Sequence, residues 1–539
     1  MRASRASRTP LMASLRRAFR HSALPGPLGD RDPLGQFSAG RTPLGPTNPP
    51  FPGSLSRRDF VKGALTLGAA SLLTGCKLGK SSAGPSIAIV GAGIAGLQAA
   101  HVLAKAGLGC ELYEAGARSG GRILTLQNLV APGLYTEAGG EFLDSSHQDM
   151  MDLAREFGLA ITDAQGGDAA GLIENAWYFG GRARSEAEVA AAVRDISGAL
   201  GVDLGAMPED IRAGAGGKAE QLDQHSLEAY LDHRGVTGWL RDLLITAYVS
   251  EFGLDAGEQS CLNLLTLVSL DISGGRFEVF GDSDERFRIQ GGNQALTDAM
   301  AAKYADRTRL GHRLEAVSED GEGYKLAFQT EAGPVEKKFD AVILALPFTL
   351  LRSVDIRVDL PAPKRKAIAE LGYGTNSKLF MGFSSRPWRK AGFAGTFFAD
   401  NSLQSGWDHT RVQPGPAGGI TIFQGGKAGL ALGSAGPSVQ APGIADALEQ
   451  VFPGSRAARN GTVGAFAWPT YPWSLGSYAC YKVGQWTSLA GEEAKPVGNL
   501  FFAGEHCSVD YQGYMNGGAV TGREAAQAIL AKWRPGGKT

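Results

Sequence analysis

Cysteine is scarce in this chain: five residues, Cys76, Cys110, Cys261, Cys480 and Cys507, among 539. That is too few for a disulfide framework, and no CxxC pair suggests a metal site, so no metal is expected. Long apolar runs are missing as well. The stretch from Ala64 to Leu73 is about half the roughly 20 residues that a membrane-spanning helix needs. Nor is there a surplus of positive charge on the body: residues 1–75 hold 11 Lys and Arg against Asp30, Asp32 and Asp59, and the formal net charge of −1 leaves the remainder at −9. An acidic body without a basic patch excludes nucleic acid as the expected partner and makes a small molecule the default ligand. No internal repeat of the solenoid kind is visible. What is present, 43% hydrophobic and 20% charged residues, lies in the soluble globular range. The length exceeds one ordinary core, so two intertwined domains or a domain with extensions are expected.

The amino-terminal part reads as an address. Residues 1–55 form a leader whose Pro- and Gly-rich part, 25–54, lacks apolar periodicity and is expected to be disordered. Ser56-Arg57-Arg58-Asp59-Phe60-Val61-Lys62 then precedes the short apolar run and Thr74-Gly75-Cys76. Paired arginines before such a run have the form of a twin-arginine export signal, over 56–76, with the twin-arginine translocase as partner. Leu73-Thr74-Gly75-Cys76 resembles a lipoprotein processing box, which would place a membrane lipid anchor on Cys76. The expectation is export, folded, to the bacterial periplasm or cell envelope; the Arg-rich opening also has some likeness to an organellar transit peptide.

The body opens on a nucleotide fingerprint. Ser86-Ile87-Ala88-Ile89-Val90 reads as a buried strand, Gly91-Ala92-Gly93-Ile94-Ala95-Gly96 as the turn, and Leu97 to Lys105 as a helix. Gly91 allows the tight turn, Gly93 lets the backbone approach a pyrophosphate, and Gly96 permits close helix–strand packing. The helix amino terminus offers unpaired N–H groups to the phosphates. A second strand, Cys110-Glu111-Leu112-Tyr113, delivers Glu114, an acid placed to accept hydrogen bonds from ribose hydroxyls. Strand, turn, helix, strand and acid in this order point to a dinucleotide.

Further motifs choose between dinucleotides. Ala117-Arg118-Ser119-Gly120-Gly121-Arg122 resembles the second flavin motif of the flavin-containing amine oxidase family, which includes monoamine, polyamine and L-amino-acid oxidases. The resemblance continues through Glu137-Ala138-Gly139-Gly140-Glu141-Phe142, Gln290-Gly291-Gly292-Asn293, Lys378, Phe502-Ala503-Gly504-Glu505-His506 and Gly513-Tyr514-Met515-Asn516-Gly517-Gly518-Ala519, in family order across residues 86–530. It implies FAD, and an α/β fold in which a Rossmann-like FAD-binding domain is intertwined with an α+β substrate domain. The cofactor-binding set is Gly91, Gly93, Ile94, Ala95, Gly96, Glu114, Ala115, Gly121, Arg122, Gly139, Gly140, Glu141, Leu314, Gly504, Glu505, Tyr514 and Met515. In it Arg122 neutralises the pyrophosphate, Glu505 accepts from the flavin's sugar chain, and a helix starting at Met515 stabilises charge on the reduced ring. By the same resemblance Lys378 holds a water near flavin N5 and supports reaction with O2. Trp468 to Tyr478 looks like the aromatic-cage strand, with Tyr478 and Tyr514 flanking the flavin and orienting the substrate.

Two departures from the family pattern carry expectations of their own. Ser477 stands where monoamine oxidases carry the cysteine that bonds to flavin, so FAD is expected to be noncovalent. Glu141, Phe142, Leu143 and Asp144 fill the stretch where several L-amino-acid oxidases place a carboxylate-binding arginine. Asp144 or Glu141 would instead attract a second cationic group on the substrate, while Arg182, Arg276 or Arg286 remain alternatives for a carboxylate clamp. Chain order implies an FAD-binding domain from 84–145, 288–350 and 495–535, and a substrate domain from 146–287 and 351–494. Leu227 to Leu270 shows helical apolar spacing, with Glu251 and Phe252 either in the pocket or in a lid or core. The implied activity is oxidation of a C–N bond in an amine or amino acid, with O2 as acceptor. An L-amino-acid oxidase proper, a dehydrogenase or desaturase serving a membrane acceptor, and a flavin-binding module without turnover are the alternatives.

Overall fold

Four consecutive apolar residues, Ile87–Val90, form a fully buried strand at the centre of a five-stranded parallel sheet. The computed structural model describes residues 84–272 and 274–533; the leader, the signal and Cys76 lie outside the described residues. The central strand pairs with Ala341–Leu344 on one side and Glu111–Tyr113 on the other, and Leu500–Phe502 and Thr308–Arg309 complete the sheet. These strands come from three separated stretches of the chain. A sheet buried on both faces needs continuous apolar strands, and Ala341–Leu344 is likewise buried throughout.

The helix that follows the first strand runs Ile94–Lys105, three residues earlier than the apolar spacing suggests. Its start is drawn close to the strand by Gly96: a Cβ there would overlap the Gly91 carbonyl. Gly91 has φ +106°, and a side chain there would meet the Ala345 carbonyl. Against this helix packs the long C-terminal helix Met515–Trp533, which presents Gly518 and Gly522 to Ile94 and Ala95.

A four-stranded sheet built on Arg313–Asp320 covers one side of the nucleotide sheet. Leu314 lies here, buried in the core beneath the sheet. The second large layer is a mainly antiparallel seven-stranded sheet in the order Arg459–Ala467, Ser377–Phe383, Gly418–Gln424, Gln404–Asp408, Phe393–Ala399, Ile173–Phe179, Arg182–Arg184. Ser377–Phe383 is buried along its whole length, which carries Lys378 into the interior. Helices Leu227–His233, Gly238–Phe252 and Leu262–Leu267 occupy the stretch with helical spacing, and Leu227, Tyr230, Leu231, Leu240, Leu243 and Leu244 are all buried. The α/β fold with a second α+β layer is therefore the one expected.

One local expectation is corrected. Trp468 to Tyr478 is not a strand: a short 3-10 turn, Trp468–Thr470, leads into a loop in which Leu475 has φ +49°. Pro469 and Pro472 remove two backbone donors, which disqualifies the segment from a central ladder. The loop is tied to the glycine-rich stretch instead, Gly374 N–H donating to Tyr478 O at 2.8 Å and Ser477 N–H to Gly374 O at 2.9 Å.

The packing at Gly96 is testable against a neutral control. Gly96→Ala is expected to cost roughly 1–3 kcal/mol by overpacking and to lower flavin content. Gly198 sits within the helix Glu186–Ala206 with open space around it, so Gly198→Ala should stabilise by roughly 0.5–1 kcal/mol. Thermal denaturation with flavin absorbance reads both; equal effects would remove the steric argument.

Candidate active site

One elongated cavity runs from the glycine turn to the aromatic residues of the second layer. Its first end is backbone and cation: Gly91, Gly93, Ile94, Ala95, Glu114, Ala115, Arg118, Gly121 and Arg122 line it. The Glu114 carboxylate accepts from Ala92 N–H at 2.9 Å and Gly116 N–H at 2.7 Å, so it is held rigidly by both flanks of the turn. Trp473, from the loop after Trp468, closes this end beside Gly116. These features fit FAD, with N–H groups and two guanidiniums for a pyrophosphate and a fixed acid for ribose. His506 adds to the fit: it lines the cavity, is 1% exposed, and among the described residues neither ring nitrogen has a hydrogen-bond partner.

At mid-cavity Arg122 Nη1 donates to Glu505 Oε1 at 2.7 Å and to Ser477 O at 2.8 Å. Glu505 Oε2 accepts from Gly513 N–H at 2.8 Å. The acceptor expected for the flavin's sugar chain is thus already engaged with the protein on both oxygens. Gly139, Gly140 and Met515 line the same region, with the Met515 thioether against Gly140.

Behind Gly139 lies a buried group of charges. Lys378 Nζ donates to Gly139 O at 2.9 Å, Glu137 O at 3.0 Å and Glu141 Oε2 at 3.3 Å, and faces the rings of Trp407 and Phe423. An ammonium has three donors, and each has a protein acceptor, whereas the role implied by the resemblance asks for one to hold water. Burial lowers the Lys378 pKa; desolvation raises that of Glu137 to about 8. The other oxygen of Glu141 pairs with Arg288 Nη2 at 3.3 Å. Glu141 therefore lies between two cations and is not a free anion for a substrate, which corrects one of the two expectations placed on it.

The far end is aromatic and acidic. Tyr478 donates to the Glu251 carbonyl, and Tyr514 Oη lies 3.3 Å from both Glu251 Oε1 and Ser283 Oγ. The two tyrosines are thus brought together around Glu251, and Phe252 joins the lining. Burial holds both phenols well above their usual range, hence neutral. Asp144, Glu251, Asp282 and Glu285 also line this end. Burial raises Asp144 and Glu251 to about 7. Glu285 is raised further, by burial and then by the neighbouring acids. His147 beside Asp144 is pushed down to about 3 by burial and is neutral. The cations that line the cavity are Arg118 and Arg122 at the glycine end and Lys378, already paired. Arg182 and Arg286 pair with Glu188 and Asp163 and do not line it, nor does Arg276.

The structure gathers nearly every residue expected at the site. Gly96 is the exception by design, since it sets the helix against the strand, and Leu314 is a correction: it is core and does not touch the cavity. Sequence reasoning missed Trp407, Phe423, Ser283 and Glu285, none of which carries a motif signal, and gave no role to His506 and Trp473, which lie inside the flavin motif ending at His506 and the Trp468 to Tyr478 segment. None of the four described cysteines lines the cavity.

The sequence profile of the family described as flavin containing amine oxidoreductase matches residues 94–530. An L-amino-acid oxidase of Bothrops pauloensis is 25% identical over 470 residues, covering 82% of this chain and 88% of that protein. An L-amino acid dehydrogenase of Synechocystis sp. is 23% identical over 488 residues, covering 86% and 98%. Among solved structures, cyclohexylamine oxidase from Brevibacterium oxydans superposes with a TM-score of 0.73 at 20% identity, covering 83% of this chain and 99% of that one. Putrescine oxidase bound to putrescine gives 0.71 at 21% identity, with the same coverages.

With no thiol in the cavity and Ser477 Oγ donating to Asn376 Oδ1 at 2.7 Å, FAD is expected to leave intact on acid precipitation. A flavin-fluorescent band that survives denaturing electrophoresis would contradict this.

Proposed function

The chain belongs to the flavin-containing amine oxidoreductase family, and from the acidic lining of its cavity we propose that it oxidises an amine that carries a second positive group and no α-carboxylate. The coarse activity follows from the family: an FAD-dependent oxidoreductase acting on CH–NH donors. FAD, held by the glycine turn, Glu114 and Arg122, would supply the two-electron acceptor for oxidation of the amine's C–N bond, with O2 as the final acceptor and hydrogen peroxide as co-product; the imine product would hydrolyse in water.

The residues supply binding and orientation. Tyr478 and Tyr514 are fixed through Glu251, so the substrate's amine end meets aromatic faces of defined position. The walls beyond them, Phe252, Trp407 and Phe423, favour an alkyl chain. No side chain need act as a strong base, because the amine loses its proton to solvent before oxidation and orientation does the rest. The observation that carries the choice of substrate is the charge of the far end: Asp144, Glu251, Asp282 and Glu285 line it, and among the described residues no unpaired cation does. An amino acid's carboxylate would meet like charge there, and an ammonium or guanidinium would meet opposite charge.

Two parts of this reading rest on sequence alone. Ser56 to Cys76 supports export in the folded state, which suits an enzyme that acquires its cofactor before translocation, with Cys76 as the point of lipid attachment. O2 as acceptor rests on the family resemblance, since the three donors of Lys378 are taken by protein acceptors, and peroxide release in air is the measurement that separates an oxidase from a dehydrogenase.

The substrate reading is tested by peroxide output on α,ω-diamines, length-matched alkylamines and L-amino acids, and diamines are expected to give the highest kcat/KM. Vigorous turnover of free Leu and Phe with none of diamines would reverse the choice. The pH dependence has a definite sign. Asp144 and Glu251 are neutral below about 7 and ionised above it; their neighbours are Glu285, Asp282, neutral His147 and the Tyr514 hydroxyl. Their ionisation makes the far end more negative, so KM for diamines should fall as pH rises through about 7, more steeply than KM for monoamines.

A further inference from the structure

Asp144 faces the substrate end, yet its oxygens are already in use. Oδ2 accepts from Ser283 Oγ at 2.8 Å and lies 3.4 Å from His147 Nε2, and Oδ1 accepts from Glu285 N–H at 3.0 Å. Its neighbours bind the same loop: Leu143 and Phe287 exchange two backbone hydrogen bonds, at 2.7 and 2.8 Å, and Ser145 N–H donates to Asp284 Oδ1 at 2.9 Å. Asp144 is thus the anchor of the segment 283–287.

What that anchor holds is an unusual backbone. Glu285 has φ +44°, a left-handed value that costs a non-glycine residue of order 1–3 kcal/mol and persists only where surrounding contacts fix it. The Asp144 carboxylate is that contact, since it takes the N–H of the strained residue itself. The strain places the Glu285 side chain on the cavity wall. There, among the described residues, no donor or cation meets its carboxylate, and the groups that act on it are acids: Glu251, Asp144, Glu141 and Glu174. An inward-facing carboxylate left without a protein partner needs one from outside. The enclosing aromatic residues, Tyr514, Phe142 and Trp407, suit the alkyl part of such a partner.

Resting on the reading of the substrate as a dication, we propose that Glu285 is the residue that binds the distal positive group, and that Asp144 is its positioning residue and not itself the binding one. Substrates with an ammonium or guanidinium one alkyl chain away from the oxidised amine are then preferred through Glu285. Glu251, engaged with Tyr514, shapes the proximal end.

The test uses competitors that are not oxidised, so that it does not depend on which amine turns over. An α,ω-diguanidinoalkane and the monoguanidine of equal length are compared as inhibitors of the FAD-loaded enzyme acting on its best substrate. The wild type should bind the diguanidine tighter by about tenfold or more, the size expected for one enclosed charge pair. In Glu285→Gln the two inhibitors should become equal to within about twofold, with kcat for a monoamine changed less than the diguanidine Ki. Glu285→Asp, which keeps the charge, should retain most of the preference at normal flavin content, separating lost charge from lost fold. A wild type with no preference, or a Glu285→Gln enzyme that keeps it, would falsify the assignment. A failure of diamines as substrates alongside an intact inhibitor preference would instead fault the substrate reading alone.

Discussion

Glu505 is the carboxylate on which the site depends. It takes Arg122 from the second flavin motif, Gly513 N–H from the turn before the last helix, and, more weakly, Ala479 N–H from the tyrosine loop at 3.3 Å. Three distant parts of the chain therefore meet on one side chain that is 7% exposed. A charge in such a place is tolerable only when its lone pairs are satisfied. Satisfying them fixes the register between the nucleotide sheet and the loop that carries Tyr478. The guanidinium that lines the phosphate end and the phenol that lines the substrate end are thus set by the same anion, one through Nη1 and the other through the adjacent backbone.

The same requirement, applied to two groups of acids, produces opposite results. Glu141 is compensated by Lys378 and Arg288 at 3.3 Å each, so its negative charge is not offered to a ligand. Asp144, Glu251 and Glu285 have hydroxyls, backbone N–H groups and neutral His147 around them but, among the described residues, no cation. Burial without compensation raises their proton affinity. A cation that enters there favours the ionised form, so the site responds to charge. Asp144 and Glu141 look equivalent along the chain, three residues apart, and differ only in whether basic residues from other strands reach them.

How much of this was legible in the sequence depends on what kind of group does the work. The phosphate end was readable because glycines at fixed spacing do one thing, letting backbone approach backbone, and Gly91, Gly93, Gly121, Glu114 and Arg122 all line the cavity as expected. The helices near Glu251 were readable from period alone. The limits of the loop from Trp468 to Tyr478 were not, because aromatic content suggests a strand while Pro469 and Pro472 forbid it. Leu314 was misplaced because an apolar residue early in a strand looks the same over a cofactor as over a core. Glu285 was invisible: an acid between Asp284 and Arg286 reads as a solvated loop, and its inward turn exists only because Asp144, 141 positions earlier, accepts its N–H.

That dependence on a loop is why likeness to amino-acid oxidases does not by itself fix the substrate. The fold and the flavin motifs are set by the sheets and the two packed helices. The charge at the far end is set by Asp144, by Glu251 on the helix Gly238–Phe252 and by the segment 282–285, none of which belongs to either sheet. At an effective dielectric of 20, two unit charges 4 Å apart interact by about 4 kcal/mol. A substrate carboxylate brought that close to one ionised acid is disfavoured by nearly a thousandfold, and an ammonium in the same place is favoured by as much before desolvation is charged against it. Neither the shared fold nor identity near 25% over four-fifths of the chain constrains a term of that size. The few side chains at the far end outweigh the many that the relatives have in common, and here those few are acids.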